Sequence, residues 1–168
     1  SVLLDLTSAD DRRKVIQLAL QSDIVIASFK PGDAEKLGVG YEQLREQKPS
    51  LIYGMITGYG AAEDRVGYDA VIQAESGFMD MNGEKDGPPV KMPVSLVDLL
   101  AAHQLKEGLL LALLKRQQTD EGSKVEVSLF ETALSSLANQ ATNWLVAGIL
   151  PARKGSAHPN IAPYGDTF

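Results

Sequence analysis

The chain has 168 residues, of which 44% are hydrophobic and 23% charged, with a net charge of −6, no cysteine and two histidines. This composition suits a folded core and excludes disorder, and an acidic balance without any basic block argues against nucleic acid or an anionic membrane surface as partner. Without cysteine there are no disulfides, thiolate nucleophiles or thiolate-held metal, and His103 and His158 alone do not make a histidine metal site, so no metal is expected.

The opening "SVLLDL" reads as the middle of a strand, and "PYGDTF" at the other end carries no helix stop signal, so both ends read as internal to a longer chain. Residues 9–21, "ADDRRKVIQLALQ", place apolar side chains at helical spacing behind an acidic first turn. "DIVIASF" (23–29) is a short β-branched run of the buried-strand kind. "KPGD" breaks it, and "AEKLGVGYEQLREQ" supplies a short helix around two glycine turns. A second buried strand follows in "SLIYGMITGYG" (50–60). Helix, strand, helix, strand with short turns predicts parallel strands in an α/β sheet.

The polar "AAEDRVG" leads to "YDAVIQAESGFMDMNG", helical as far as Gly77 and broken by the glycines and prolines beyond it. The longest helix is predicted over roughly 95–118, a strand over 123–130, and a single helix over 131–148 closed by Gly148. Residues 149–168 read as an ordered loop. No apolar run approaches the roughly 20 residues of a membrane helix, and the start lacks the order of a signal peptide, so a cytoplasmic protein is expected.

Asp98, between Val97 and Leu99, has two readings. In "SLVD" Ser95 can cap the long helix while Asp98 reaches back to free N–H groups, a capping box with Asp in place of Glu. A carboxylate at a helix N-terminus is also held rigid and ionised, as a carboxylate nucleophile requires. "SFKPGDAEKLG" (28–38) lies at the carboxyl end of a predicted parallel strand, where α/β folds bind ligands, and Lys30 and Lys36 could meet phosphates there. It is neither a P-loop nor GxGxxG, and a plain connecting turn explains it equally. The glycines around Tyr59, Tyr68 and Asp69 mark strand ends and tight turns. His103 has only Asp98 or Glu107 as an acid partner at helical spacing and reads as a surface residue, while His158 before a proline reads as structural. No Ser-His-Asp order, HExxH or GxSxG occurs, which disfavours serine and zinc hydrolysis. Asp69, Glu75 and Asp80 leave room only for an adventitious ion.

Together, "DIVIASFKPGDAEKLGVGYEQLREQKPSLIYGMITGYG", "GYDAVIQAESGFM", "PVSLVDLLAA", "VEVSLFETALSSLANQ" and "AHPNIAPYGD" resemble the family III CoA-transferases, in order along nearly the whole chain. That family includes formyl-CoA and carnitine-CoA transferases, succinyl-CoA:dicarboxylate transferases and α-methylacyl-CoA racemase. The resemblance implies a Rossmann-like, parallel-sheet large domain, partial here, with the long helix after the catalytic Asp. Residues 1–148 would belong to this CoA-binding domain, and 149–168 would lead to a smaller one.

The family's nucleophilic aspartate falls on Asp98, so the resemblance favours the chemical reading of that residue. It further implies CoA contacts at Ser28, where many relatives have Asn, and at Phe29, Lys36 and Leu37. Tyr68 and Asp69 would lie beside the reacting acyl group. Racemase-type members have a histidine at position 68, and a phenol is a poor base at neutral pH, so the chain leans toward a transferase. Acyl-racemase or epimerase activity, or a CoA-binding scaffold in which Asp98 only caps a helix, are the alternatives. The implied partners are acyl-CoA and carboxylic acid substrates, with no tightly bound cofactor, and a second copy in an interlocked homodimer. The isolated chain is expected to be inactive.

Overall fold

The computed structural model describes residues 1–161. Helix α1 (Ala9–Gln21) opens with Asp10 and Asp11 in its first turn, where carboxylates meet the positive end of the helix dipole. It leads into strand β1 (Ile24–Ala27), short helices α2 (Asp33–Lys36) and α3 (Tyr41–Gln47), and strand β2 (Ile52–Thr57). Helices α4 (Asp69–Glu75), α5 (Phe78–Met81) and the 24-residue α6 (Leu96–Thr119) follow, then strand β3 (Lys124–Ser128) and helices α7 (Leu129–Ser136) and α8 (Asn139–Ala147).

The three strands form one parallel sheet in the order β1-β2-β3. Ile24 pairs with Ile52 at one edge of β2, and Tyr53 pairs with Lys124 at the other. Side chains alternate along the central strand. Tyr53 and Met55 pack with Ala19, Ala27, Tyr41 and Leu44 on the α1/α3 side, while Ile52 and Ile56 meet Leu105, Leu109 and Ala112 of α6 on the other. Period-2 alternation therefore makes a sheet with helices on both faces. Gly54 permits the close approach of α6, because a Cβ there would lie 3.2 Å from both Leu105 Cδ1 and Leu109 Cδ2.

The structure corrects three expectations. Residues 1–5 are not a strand: the Asp5 carboxylate accepts hydrogen bonds from Thr7 N and Oγ1 at 2.9 and 2.7 Å, which turns the chain into α1, and Leu3 is 98% exposed. The last strand stops at Ser128 because Ser128 caps α7, accepting from Glu131 N at 3.1 Å and donating to its carboxylate at 2.9 Å. The predicted helix 131–148 is two helices, broken at Ala138, whose φ of 49° and ψ of −118° lie outside helical space. Asn139, Gln140 and Asn143 of α8 gather on Asn160, which ties that helix to the segment after it.

Residues 149–161 are irregular but anchored. Arg153 donates to the backbone and side-chain oxygens of Asp80 at 2.8 and 2.7 Å, and Gly155 N donates to Gly83 O at 3.1 Å. The rest of the predicted loop, residues 162–168 with "PYGD", lies outside the described residues. Among the described residues, no helix is long and apolar enough to cross a membrane.

Candidate active site

The carboxyl ends of the three strands converge on a cavity of about 340 Å³, the place where open α/β sheets bind ligands. Ser28 follows β1, Ile56 belongs to β2 and Leu129 follows β3, and all three line it. The opposite wall is Gly67, Tyr68 and Asp69 at the start of α4, together with Asp98 in the first turn of α6. A larger groove of about 540 Å³ runs between α5 and α7–α8 past Leu134, Trp144 and Leu150. Its lining is mostly apolar, and its Asp80 carboxylate and Ser76 hydroxyl are engaged by Arg153 at 2.7 Å and Ile72 O at 2.6 Å, so the smaller cavity is the candidate site.

The Tyr68 wall is set by backbone packing. Gly58 and Gly67 meet without side chains between them, since a Cβ on Gly58 would lie 2.5 Å from Gly67 N. The loop between them is held by Arg65, which donates to Glu75 at 2.9 and 3.3 Å and lies 3.9 Å from the Tyr59 ring centre. Tyr59 Oη also donates to Glu75 at 2.8 Å, and together Arg65 and then Tyr59 hold the Glu75 carboxyl below its ordinary pKa.

The cap of α6 differs from the one expected. Ser95 makes no side-chain cap bond, and Asp98 accepts no hydrogen bond from any described residue. Asp69, 28 residues earlier than Val97, takes the role: its Oδ1 accepts from Val97 N at 2.7 Å. Its Oδ2 accepts from Gln73 Nε2 at 2.6 Å, and Gln73 Oε1 accepts from Met92 N at 2.9 Å. Asp98 is exposed as a residue, but partial desolvation of its carboxyl at the cavity wall, and secondarily the charge of Asp69, push it above the ordinary carboxylate value, opposite to the expectation from the helix dipole alone. Asp98 is thus a carboxylate on the first turn of a capped helix, without a hydrogen-bond partner among the described residues and made more basic by its surroundings.

Of the residues singled out in the sequence, Ser28, Tyr68, Asp69 and Asp98 come together in this cavity. Phe29 packs instead against the Tyr53 and Met55 core, and Lys36 pairs with Asp33 at 2.9 Å. Leu37 lines a separate cleft with Arg12, Arg13 and Ile16 of α1. His103 is an exposed residue of α6 beside Lys106. Asp69, Glu75 and Asp80 are dispersed among different partners, and no group of three metal-ligating side chains occurs among the described residues. Gln73 was not singled out, although it stands four residues after Asp69, the spacing at which a helical Gln meets an Asp.

A parallel sheet with a carboxylate-bearing cavity at the carboxyl ends of its strands, flanked by a capped helix, defines the class: an α/β protein with its candidate site at the ligand-binding edge of the sheet. The chain belongs to CoA-transferase family III, whose model matches residues 1–168. It is 41% identical to an acyl-CoA transferase of Fusarium pseudograminearum, across 100% of this chain and 37% of that protein. It is 38% identical to a succinate–glutarate CoA-transferase of Agrobacterium fabrum, across 98% of this chain and 42% of that one. Among solved structures, a CAIB/BAIF family protein from Brucella suis superposes with a TM-score of 0.92 at 39% identity, over 98% of this chain and 44% of that one. The chain spans about two fifths of the length of these relatives.

Proposed function

We propose that the protein is a CoA-transferase that moves CoA between carboxylic acids, with Asp98 as its covalent nucleophile. One observation carries this reading: the capping work that would occupy Asp98 is done by Asp69, which leaves the Asp98 oxygens at the cavity wall without a hydrogen-bond partner among the described residues. An Asp98 oxygen attacks the thioester carbonyl, the new C–O bond replaces the C–S bond, and CoA leaves as thiolate from a mixed anhydride. The thiolate attacks the aspartyl carbonyl, forming an aspartyl-CoA thioester and releasing the donor acid as carboxylate. An acceptor carboxylate then displaces CoA by the reverse pair of steps, which restores Asp98. Splitting one acyl transfer into covalent steps in this way is the general benefit of nucleophilic catalysis.

CoA and acyl-CoA are substrates here rather than resident cofactors, and the name of the Agrobacterium relative supports carboxylic acids as donor and acceptor. Ser28, Phe29, Lys36 and Leu37 are assigned to CoA, Tyr68 and Asp69 to the acyl end. Residues 1–148 serve as part of the CoA-binding domain, with 149–168 as the lead to a smaller one. Exposed Leu110, Leu111 and Leu114 on α6 and Leu145 and Val146 on α8 support burial against a second copy in a homodimer. A cytoplasmic setting suits the chain's lack of cysteine. Neither described histidine lines the cavity, which favours transfer over racemisation.

The test is peptide mapping of the full-length protein after incubation with an acyl-CoA and hydroxylamine. A hydroxamate on the Asp98 peptide, absent in Asp98→Ala and nearly so in Asp98→Asn, is expected. An unmodified Asp98 with acyl-CoAs that demonstrably bind would sink the proposal.

A further inference from the structure

The residues that lead into α6, and the first turn of α6 itself, are tethered to α4. Gln73 is fully buried, and the orientation of its amide is dictated by its neighbours. Met92 N–H can only donate, so Oε1 faces it at 2.9 Å, and Nε2 is left to donate to Asp69 Oδ2 at 2.6 Å. Nε2 also reaches Val94 O at 3.5 Å. Asp69 Oδ1 closes the circuit by accepting from Val97 N, the residue before Asp98. The same two helices are clamped below this circuit by Ile72 of α4 and Val97 of α6, both fully buried in one apolar cluster.

We infer that Gln73 is a positioning residue for the Asp98 carboxylate, acting through Asp69 and the first turn of α6. The inference rests on Asp98 being the nucleophile. With one Asp69 oxygen committed to the helix cap and the other to Gln73, the Asp69 carboxylate cannot swing about its Cβ–Cγ bond. That fixes both the helix end on which Asp98 is mounted and the negative charge that shares its cavity. Placement matters because a nucleophile is productive only within a narrow range of approach, and a misplacement of about 1 Å can cost about a hundredfold in rate. Removing the Gln73 amide frees Asp69 to rotate, and Asp98 loses its fixed setting while remaining chemically intact.

Two substitutions separate positioning from simple packing. Gln73→Met keeps the length of the side chain and deletes all its hydrogen bonds. Gln73→Glu keeps an oxygen for Met92 N–H but turns a second oxygen toward Asp69, so the donor alone is lost. Both would be made in the full-length protein, and kcat, KM and hydroxamate formation on Asp98 measured on the folded fraction. A second readout, independent of turnover, is the pH dependence of carbodiimide labelling of Asp98. Tyr68 and Asp69 are the other titratable groups on the cavity wall.

The expected result is a fall in kcat of about tenfold to a hundredfold in both variants. KM for acyl-CoA should stay within about twofold of the parent's, because no proposed CoA contact is altered. In Gln73→Glu the added carboxylate should also move the Asp98 labelling midpoint to higher pH. Parent-like kcat and an unmoved midpoint in Gln73→Glu would overturn the inference, whatever Gln73→Met does. If the parent forms no hydroxamate, the transferase reading fails by itself, and the labelling midpoint still decides whether Gln73 sets Asp98.

Discussion

At the scale of the residue, Asp98 carries opposite consequences under its two readings. A capping aspartate stabilises its helix, so its removal would cost about 0.5–2 kcal/mol. The Asp98 seen here, though exposed as a residue, has its carboxyl raised above the ordinary value by partial desolvation and by Asp69, which means the folded chain binds that proton more tightly than the unfolded one. Ionising it therefore penalises the folded state at neutral pH, and the penalty vanishes once pH falls below the unfolded value of about 3.9. Asp98→Asn should accordingly be more stable than the parent at pH 7, with the advantage shrinking as pH is lowered through about 4. Urea denaturation at several pH values measures this, and a loss of stability at pH 7 would return Asp98 to the role of cap.

At the scale of the element, the start of α6 is held from another helix. Asp69→Ala removes the acceptor of Val97 N and strands the buried Gln73 amide, so it should cost about 1–3 kcal/mol. Ser95→Ala, at the nominal cap position but without a side-chain bond, should stay within about 0.5 kcal/mol. Equal losses in urea unfolding would contradict this division of labour. The same elements show what the sequence makes legible. The two β-branched runs with helices between them announce a parallel sheet, and "SVLLDL" misleads only because Asp5 turns the chain before it can pair. The convergence of Ser28, Tyr68, Asp69 and Asp98 follows from the family resemblance and from strand-end positions. The identity of the cap was hidden, because local spacing points to Ser95 while the bond comes from a residue 28 positions away. Phe29 illustrates the converse, since nothing in "SFKPG" says that its partly buried ring packs on the Tyr53 core.

At the scale of the whole molecule, α6 covers one face of the sheet with only part of its apolar surface. Leu105 is 4% exposed against Ile52, whereas Leu111 on the outer side is 67% exposed. Leu105→Ala should therefore cost about 2–5 kcal/mol in the 168-residue chain, and Leu111→Ala within about 0.5 kcal/mol, as read by thermal or urea unfolding. Comparable losses at both positions would mean that α6 is covered on both sides. The sheet's register has a further consequence, for how the chain comes to be folded at all. Because Tyr53 of the central strand pairs with Lys124, the pairing must wait until everything from α4 to the end of α6 has been synthesised. On the ribosome, β2 stands with that edge open until β3 emerges, an interval in which the unpaired edge is free to pair wrongly.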